Sequence, residues 1–186
     1  YWMFGKVQGK AAFKNVTFEN GFHVTQNVAS GPAPEVTFTG CTFKNAEDAY
    51  YSAWVNGGTV SFDRCSFPSN RGLKIHDDNG ANGTIRVTNC TFNNAGKPGV
   101  ALGTVAAAAS ISITDSTFTD CAAGDQGNYI YETDSIHPTA EGNKVILAGA
   151  EQTCKTVDNK NYVVFNADGM MAIADVIASV TPSEGN

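Results

Sequence analysis

The sequence predicts an all-β solenoid of about five to six stacked coils with a short C-terminal helix. Three observations predict it. The segments AAFKNVTFEN, VTFTGCTFKN, VSFDRCSFPS, IRVTNCTFNN and ISITDSTFTD repeat one pattern, and their last aromatics are Phe18, Phe43, Phe67, Phe92 and Phe118. These follow one another at intervals of 25, 24, 25 and 26 residues, the signature of a repeat architecture. Within each copy apolar and polar residues alternate, as in Val36-Thr37-Phe38-Thr39, which marks strands with one buried face. A third apolar segment follows every copy: GFHVTQ, YYSAWV, GLKIHD, GVALGT and NYIYET.

The elements follow in chain order. YWMFGKV at the start is apolar enough for a partial coil or an edge strand; otherwise Tyr1, Trp2 and Phe4 would form an exposed patch. Each copy then breaks its alternation once, three residues before the Phe, at Asn15, Gly40, Arg64, Asn89 and Asp115. Asn, Gly and Asp tolerate the left-handed backbone of a sharp corner, so each copy is two short strands joined at a bend. Val16, Cys41, Cys65, Cys90 and Ser116 come next and form one inward column. With the third segment, each turn has three strands, and such turns stacked in register make a right-handed parallel β-helix.

This pattern resembles the parallel β-helix repeat family, shared by pectate-lyase-like proteins and bacterial surface adhesins, over roughly residues 11–135. A sixth strand, KVIL, follows the fifth coil. Met170, Ile173, Ile177 and Val180 then form a helical stripe, with Asn166 or Asp168 at its start and Thr181-Pro182 at its end. The expected organisation is a β-helix domain over residues 1–165 and a helix over 166–180, with a polar tail at 181–186. The helix either caps the solenoid's open end or begins a following module. The chain opens on Tyr1-Trp2, so it reads as a processed or excised piece of a longer protein.

Composition narrows the function classes. Charged residues make up only 16%, which suits a secreted or cell-surface β protein better than a helical cytosolic one. The net charge of −6 argues against nucleic acid or an anionic membrane surface as partner. No apolar run of membrane-spanning length occurs.

Several residues invite chemistry. Asp134-x-x-His137 with Pro138 and Gly142 resembles the segment that supplies acid and base in GDSL-type esterases. The resemblance then demands a Gly-Asp-Ser nucleophile upstream, which the sequence lacks. Its one upstream Asp-Ser, Asp115-Ser116, puts Ser116 in the inward column, so no triad is expected. DSIHPTAEGN reads instead as a polar loop before KVIL. Cys41, Cys65 and Cys90 read as small hydrophobes filling a ladder, because CxxC or CxxH spacing is absent. Cys121 and Cys154 stand outside that column. Thr17, Thr42, Ser66, Thr91 and Thr117 form an outward hydroxyl row like those of ice-binding proteins, but Lys14, Asp63 and Arg86 interrupt the flanking rows. Thr is in any case well suited to exposed strand positions.

The third-strand face is the remaining site. With Leu73 and Ile75 inward, Lys74 and His76 point outward beside Asp77 and Asp78, and the neighbouring coils offer His23, Ser52 and Trp54 on one side and Ala101 and Gly103 on the other. The loop His76–Gly83 has acids and carbonyls that suit a calcium ion, although no other cofactor or metal is expected. The expectation is a non-catalytic, adhesin-like module with a glycan or a host or cell-surface protein as partner. Trp54, Lys74, His76, Asp77, Asp78 and Tyr131 are its candidate ligand-binding residues, and loops 44–50, 68–83 and 119–143 carry the presentation. The resemblance also implies a rival, a polysaccharide lyase or glycoside hydrolase around Lys74, His76, Asp77 and Asp78. Such an enzyme needs carboxylates converging from neighbouring coils. A third expectation is a structural spacer with no ligand.

Overall fold

The computed structural model describes residues 7–26, 33–45, 51–69, 71–76, 83–94, 99–102, 109–121, 139–147, 149–152, 155–157 and 160–162. The first coil comprises Lys10–Lys14 (β1), Thr17–Phe18 (β2) and Phe22–Gln26 (β3). The second has Glu35–Thr39 (β4), Thr42–Phe43 (β5) and Tyr51–Asn56 (β6). The third has Thr59–Asp63 (β7), Ser66–Phe67 (β8) and Arg71–His76 (β9), and the fourth Thr84–Thr88 (β10), Thr91–Asn93 (β11) and Val100–Leu102 (β12). Ser110–Thr114 (β13), Thr117–Thr119 (β14), Thr139–Glu141 (β15) and Lys144–Leu147 (β16) extend two of the three sheets. Ala150–Gln152 (β17), Lys155–Val157 (β18) and Lys160–Tyr162 (β19) follow.

Each of the three solenoid sheets takes one strand from each turn, and β18 and β19 form a separate antiparallel pair. The first runs β1-β4-β7-β10-β13-β15, the second β2-β5-β8-β11-β14-β16-β17, and the third β3-β6-β9-β12. All pairings between turns are parallel, with Phe13, Phe38 and Phe62 in register. Among the described residues four turns are complete, and this part of the chain is a right-handed parallel β-solenoid without a helix. The expected helix at 166–180 and the tail at 181–186 lie outside the described residues.

The core is a set of ladders. Phe18, Phe43, Phe67, Phe92 and Phe118 stack at centroid distances of 5.0, 5.0, 4.7 and 4.7 Å, with interplanar angles of 11°, 9°, 7° and 4°. Phe13, Phe38 and Phe62 form a second stack at 5.2 and 5.0 Å, meeting the first edge-on. Parallel in-register strands about 4.8 Å apart impose this spacing, and rings offset at that distance attract. Val36, Val60, Ile85 and Ile111 line the rest of the first sheet's inner face. Val16, expected in the inward column, is 37% exposed because it lies in the first coil.

The corner is built as its residues dictate. Asn15, Gly40, Arg64, Asn89, Asp115 and Gly142 have φ between 50° and 66°. Their amides stay in the ladder: those of Asn15, Gly40, Arg64 and Asn89 donate to the carbonyls of Thr39, Asp63, Thr88 and Thr114. Arg64 lacks the usual tolerance of this conformation, for which a side chain with a Cβ typically costs about 1–2 kcal/mol.

Gly142 is the sixth corner, a correction to the loop reading of DSIHPTAEGN. Thr139–Glu141 is a strand of the first sheet, and Val145 takes the Phe position beside Phe118. Asn143 fills the column after Ser116, accepting from the Ser116 amide at 2.9 Å and donating to the Ile113 carbonyl at 2.7 Å. Parallel stacking then ends on the second sheet, where β17 pairs antiparallel with β16. At the other end the Val7 amide donates to the Val24 carbonyl at 2.9 Å, extending the third sheet before β1 as an edge segment would.

Phe92→Ala removes the centre of a three-ring stretch and is expected to cost about 3–5 kcal/mol in equilibrium denaturation. Gly40→Ala sets a Cβ 2.5 Å from the movable Asn15 Oδ1 and keeps the left-handed φ, for about 1–2 kcal/mol. Gly72→Ala is expected to cost more than Gly40→Ala in the same assay, since its Cβ would collide with the backbone carbonyl oxygen of Gly99.

Candidate functional site

The third sheet gathers both described histidines and the described tryptophan, with Tyr51, Arg71 and Lys74 beside them. Register puts His23 beside Trp54, Trp54 beside Lys74 and Lys74 beside Ala101. A second row holds Gln26, Asn56 and His76. Leu73 and Ile75 are buried while Lys74 and His76 are partly exposed, as the alternation predicts.

The strand starts depart from simple alternation. Ser52, expected outward, is fully buried and donates to the Arg71 carbonyl at 2.7 Å. Gly72 also faces inward, where a Cβ would meet the Phe92 ring at 3.0 Å. Two inward residues in succession, Ser52 with Ala53 and Gly72 with Leu73, turn Tyr51 and Arg71 to the outer side. A like irregularity falls between His23 and Thr25: Val24 and Thr25 are both fully buried, and Thr25 Oγ1 donates to the Gly57 carbonyl at 2.8 Å.

The outer side chains stack along the solenoid axis. The His23 ring lies 5.1 Å from the Trp54 ring at 19°, and the His76 ring lies 5.2 Å away at 40°. Lys74 Nζ sits 5.6 Å from the Trp54 ring and 5.4 Å from the Tyr51 ring, and Arg71 Cζ lies 5.6 Å from the Tyr51 ring. Cations at such distances gain about 0.5–2 kcal/mol each, more as the pair is desolvated. Both indole faces are occupied by protein, and the ring nitrogens His23 Nε2, Trp54 Nε1 and His76 Nε2 are shielded from solvent. Tyr51 and Arg71 are buried and His23, Trp54, Lys74 and His76 half-buried, so the arrangement is a cation–aromatic floor, not an open platform on which a sugar ring could lie flat.

Sequence reasoning found Trp54, Lys74 and His76, which the fold brings together. It missed Tyr51 and Arg71, whose outward turn depends on the irregular strand starts; Gly72 between Arg71 and Leu73 was the one available signal. Asp77, Asp78, Tyr131, Asp134, His137 and Cys154 lie outside the described residues, as does most of the His76–Gly83 loop. The described strands of this sheet carry His23, Arg71, Lys74 and His76 but no Asp or Glu.

Two other surfaces contrast with it. The hydroxyl row Thr17–Thr42–Ser66–Thr91–Thr117 is continuous in register and ends at Lys144. Beside it, the row Lys14–Thr39–Asp63–Thr88–Thr114 is broken by a cation and an acid. Inside, Cys41, Cys65, Cys90 and Cys121 are free thiols, each with at most 1% of its surface exposed. Burial raises the Cys41 thiol, and burial pushes Cys121 up to about 12. The neighbouring Cys65 thiol, and then burial, push Cys90 up.

The family described as right handed beta helix region matches residues 5–167. No curated protein and no solved structure matches the chain.

A Cys154→Ser variant is expected to show no reactive thiol to a water-soluble disulfide reagent while folded, and four after unfolding. The Cys121 thiol also sets a direction with pH. The unfolded chain loses this proton near pH 9 and the folded chain near 12, so the folded state holds more protons between them. Stability is therefore full below about pH 9 and falls as pH rises toward 12, with Cys121→Ser showing the shallower decline in denaturation midpoints.

Proposed function

The chain belongs to the right-handed β-helix family, and on that premise we propose that it is a non-catalytic display module of a secreted or cell-surface protein. A rigid solenoid holds loops of varied length at fixed spacing, and a glycan or cell-surface protein binds those loops. The observation that carries this reading is the cation–aromatic floor of His23, Tyr51, Trp54, Arg71, Lys74 and His76. It is the one described outer face where aromatic rings and cations interlock, and the connections after β3, β6 and β9 leave from it. Interlocked rings lose little further freedom on binding, which favours a recognition surface built over them.

The absence of a carboxylate from the described strands of this sheet supports binding over hydrolysis or elimination, which need acids converging from neighbouring coils. Asp77 and Asp78 are the nearest acids along the chain and belong to one loop. Low charge content and a solenoid rich in Thr, Asn and Gly support an extracellular setting.

The test is retention on immobilised acidic and neutral polysaccharides and on cell-surface protein extracts, with and without calcium, alongside an assay for new reducing ends and unsaturated products. Retention on one surface, weakened about tenfold (about 1.4 kcal/mol) by Trp54→Ala or Lys74→Ala, is the expected result. Products lost in His76→Ala or Asp77→Ala would overturn it in favour of a catalytic cleft. Silence in every arm would favour a spacer.

A further inference from the structure

The inward cysteine column repeats one geometry in successive coils. Cys41, Cys65 and Cys90 occupy the same corner position in three successive coils. Each Sγ lies against the carbonyl two residues earlier: 3.6 Å from Thr39, 3.5 Å from Asp63 and 3.3 Å from Thr88. Cys65 and Cys90 also reach the Phe38 and Phe62 carbonyls of the preceding coil, at 3.6 and 3.5 Å. One repeated contact means one repeated rotamer, so successive sulfurs are separated by the strand spacing, about 4.8 Å.

Strand spacing puts neighbouring Cα atoms within disulfide range, but parallel side chains hold the sulfurs about 4.8 Å apart instead of the about 2.05 Å of a disulfide bond. Among the described residues no three His, Cys, Asp or Glu side chains converge as a tetrahedral metal would need. A zinc–thiolate bond is about 2.3 Å, and two metal–sulfur bonds of about that length laid end to end span about 4.6 Å. An ion that prefers two collinear sulfur ligands therefore fits between neighbouring members of the column. Soft monovalent Cu(I) has that preference, and thiol sulfur is its ligand of choice.

We propose that the Cys41–Cys65–Cys90 column is a two-coordinate site for a soft metal ion, with Cys65 as the ligand shared by both inter-coil gaps. Cu(I) forms one bond to a thiolate sulfur as that thiol gives its proton to solvent, and a second through a lone pair of the neighbouring thiol. The metal keeps its oxidation state, and the filled gap carries no net charge, which an interior lined by Phe38, Phe43, Phe62 and Phe67 demands. Loading accompanies folding, since the closed solenoid leaves the three thiols at most 1% exposed.

The test refolds a Cys154→Ser parent without oxygen in the presence of Cu(I) supplied as its acetonitrile complex. Metal retained after desalting is measured by elemental analysis, and the melting temperature is compared with the metal-free protein. The parent is expected to retain about one Cu(I) and to melt higher. Cys65→Ser is expected to lose the ion, because the remaining sulfurs then stand two strands apart, about 9.6 Å. Cys41→Ser and Cys90→Ser each leave one gap intact and are expected to keep it; loss in one of them assigns the ion to the gap that variant destroys. Serine already fills this column at Ser116, so these variants should fold, and far-ultraviolet circular dichroism checks that they do. A folded parent that retains no copper overturns the proposal, as does retention by Cys65→Ser equal to the parent's.

Discussion

Parallel in-register stacking is the constraint on which everything else in this protein depends. Once a turn places its three strands on those of the turn before, each residue meets its own counterpart about 4.8 Å away. A side chain is then useful in the interior only if it packs well against a copy of itself. Phenylalanine meets that demand through offset stacking, and five rings at 4.7–5.0 Å do so in one column. Small thiols meet it at the corner between the first and second sheets, where Cys41, Cys65 and Cys90 are buried. The same rule makes polar ladders outside, such as the Thr17–Thr117 row, and gives the outer face of the third sheet its stacked His23, Trp54 and His76.

The constraint also explains how the ends are managed. A stack of identical edges would invite further stacking, so the last turns must differ from the repeat. Val145 replaces the ring, Asn143 replaces the thiol, and the chain then reverses into an antiparallel strand on the second sheet. Asn143 and Asn94 take up carbonyls that the ladder leaves over: Asn143 donates to Ile113, and Asn94 donates to Phe67 and Ser69. Asn94 is buried two residues after Phe92, as Asn45 is after Phe43, so this polar position recurs within the repeat, while the partly buried Asn143 belongs to the last turn.

Function in such a scaffold lies where repetition is relaxed. The first two sheets alternate with few interruptions and present Thr, Ser and scattered charges. The third sheet contains the irregular starts at Ser52 and Gly72 and the shift after His23, and these turn Tyr51 and Arg71 outward beside Lys74. A cluster of two aromatics, two imidazoles and two permanent cations results from those small departures. The fold alone would fit many functions, so the reading rests on that cluster.

By itself the sequence determined the coils, because a period near 25 residues, alternation of two and a corner residue all act locally and repeat five times. It also determined which residues form the interior ladders, and it placed Trp54, Lys74 and His76 on one outer face. It did not reveal the sixth corner at Gly142, since Val145 and Asn143 break the Phe and Cys columns that made the other copies visible. Nor did it reveal that Ser52 turns inward or that His23 and His76 cover both faces of Trp54. Those outcomes were decided by tertiary structure: which way a strand start twists depends on the backbone of the next coil, as Gly72 against Gly99 illustrates. Stacking of rings likewise depends on register between residues some 20 to 30 positions apart, which no local pattern encodes.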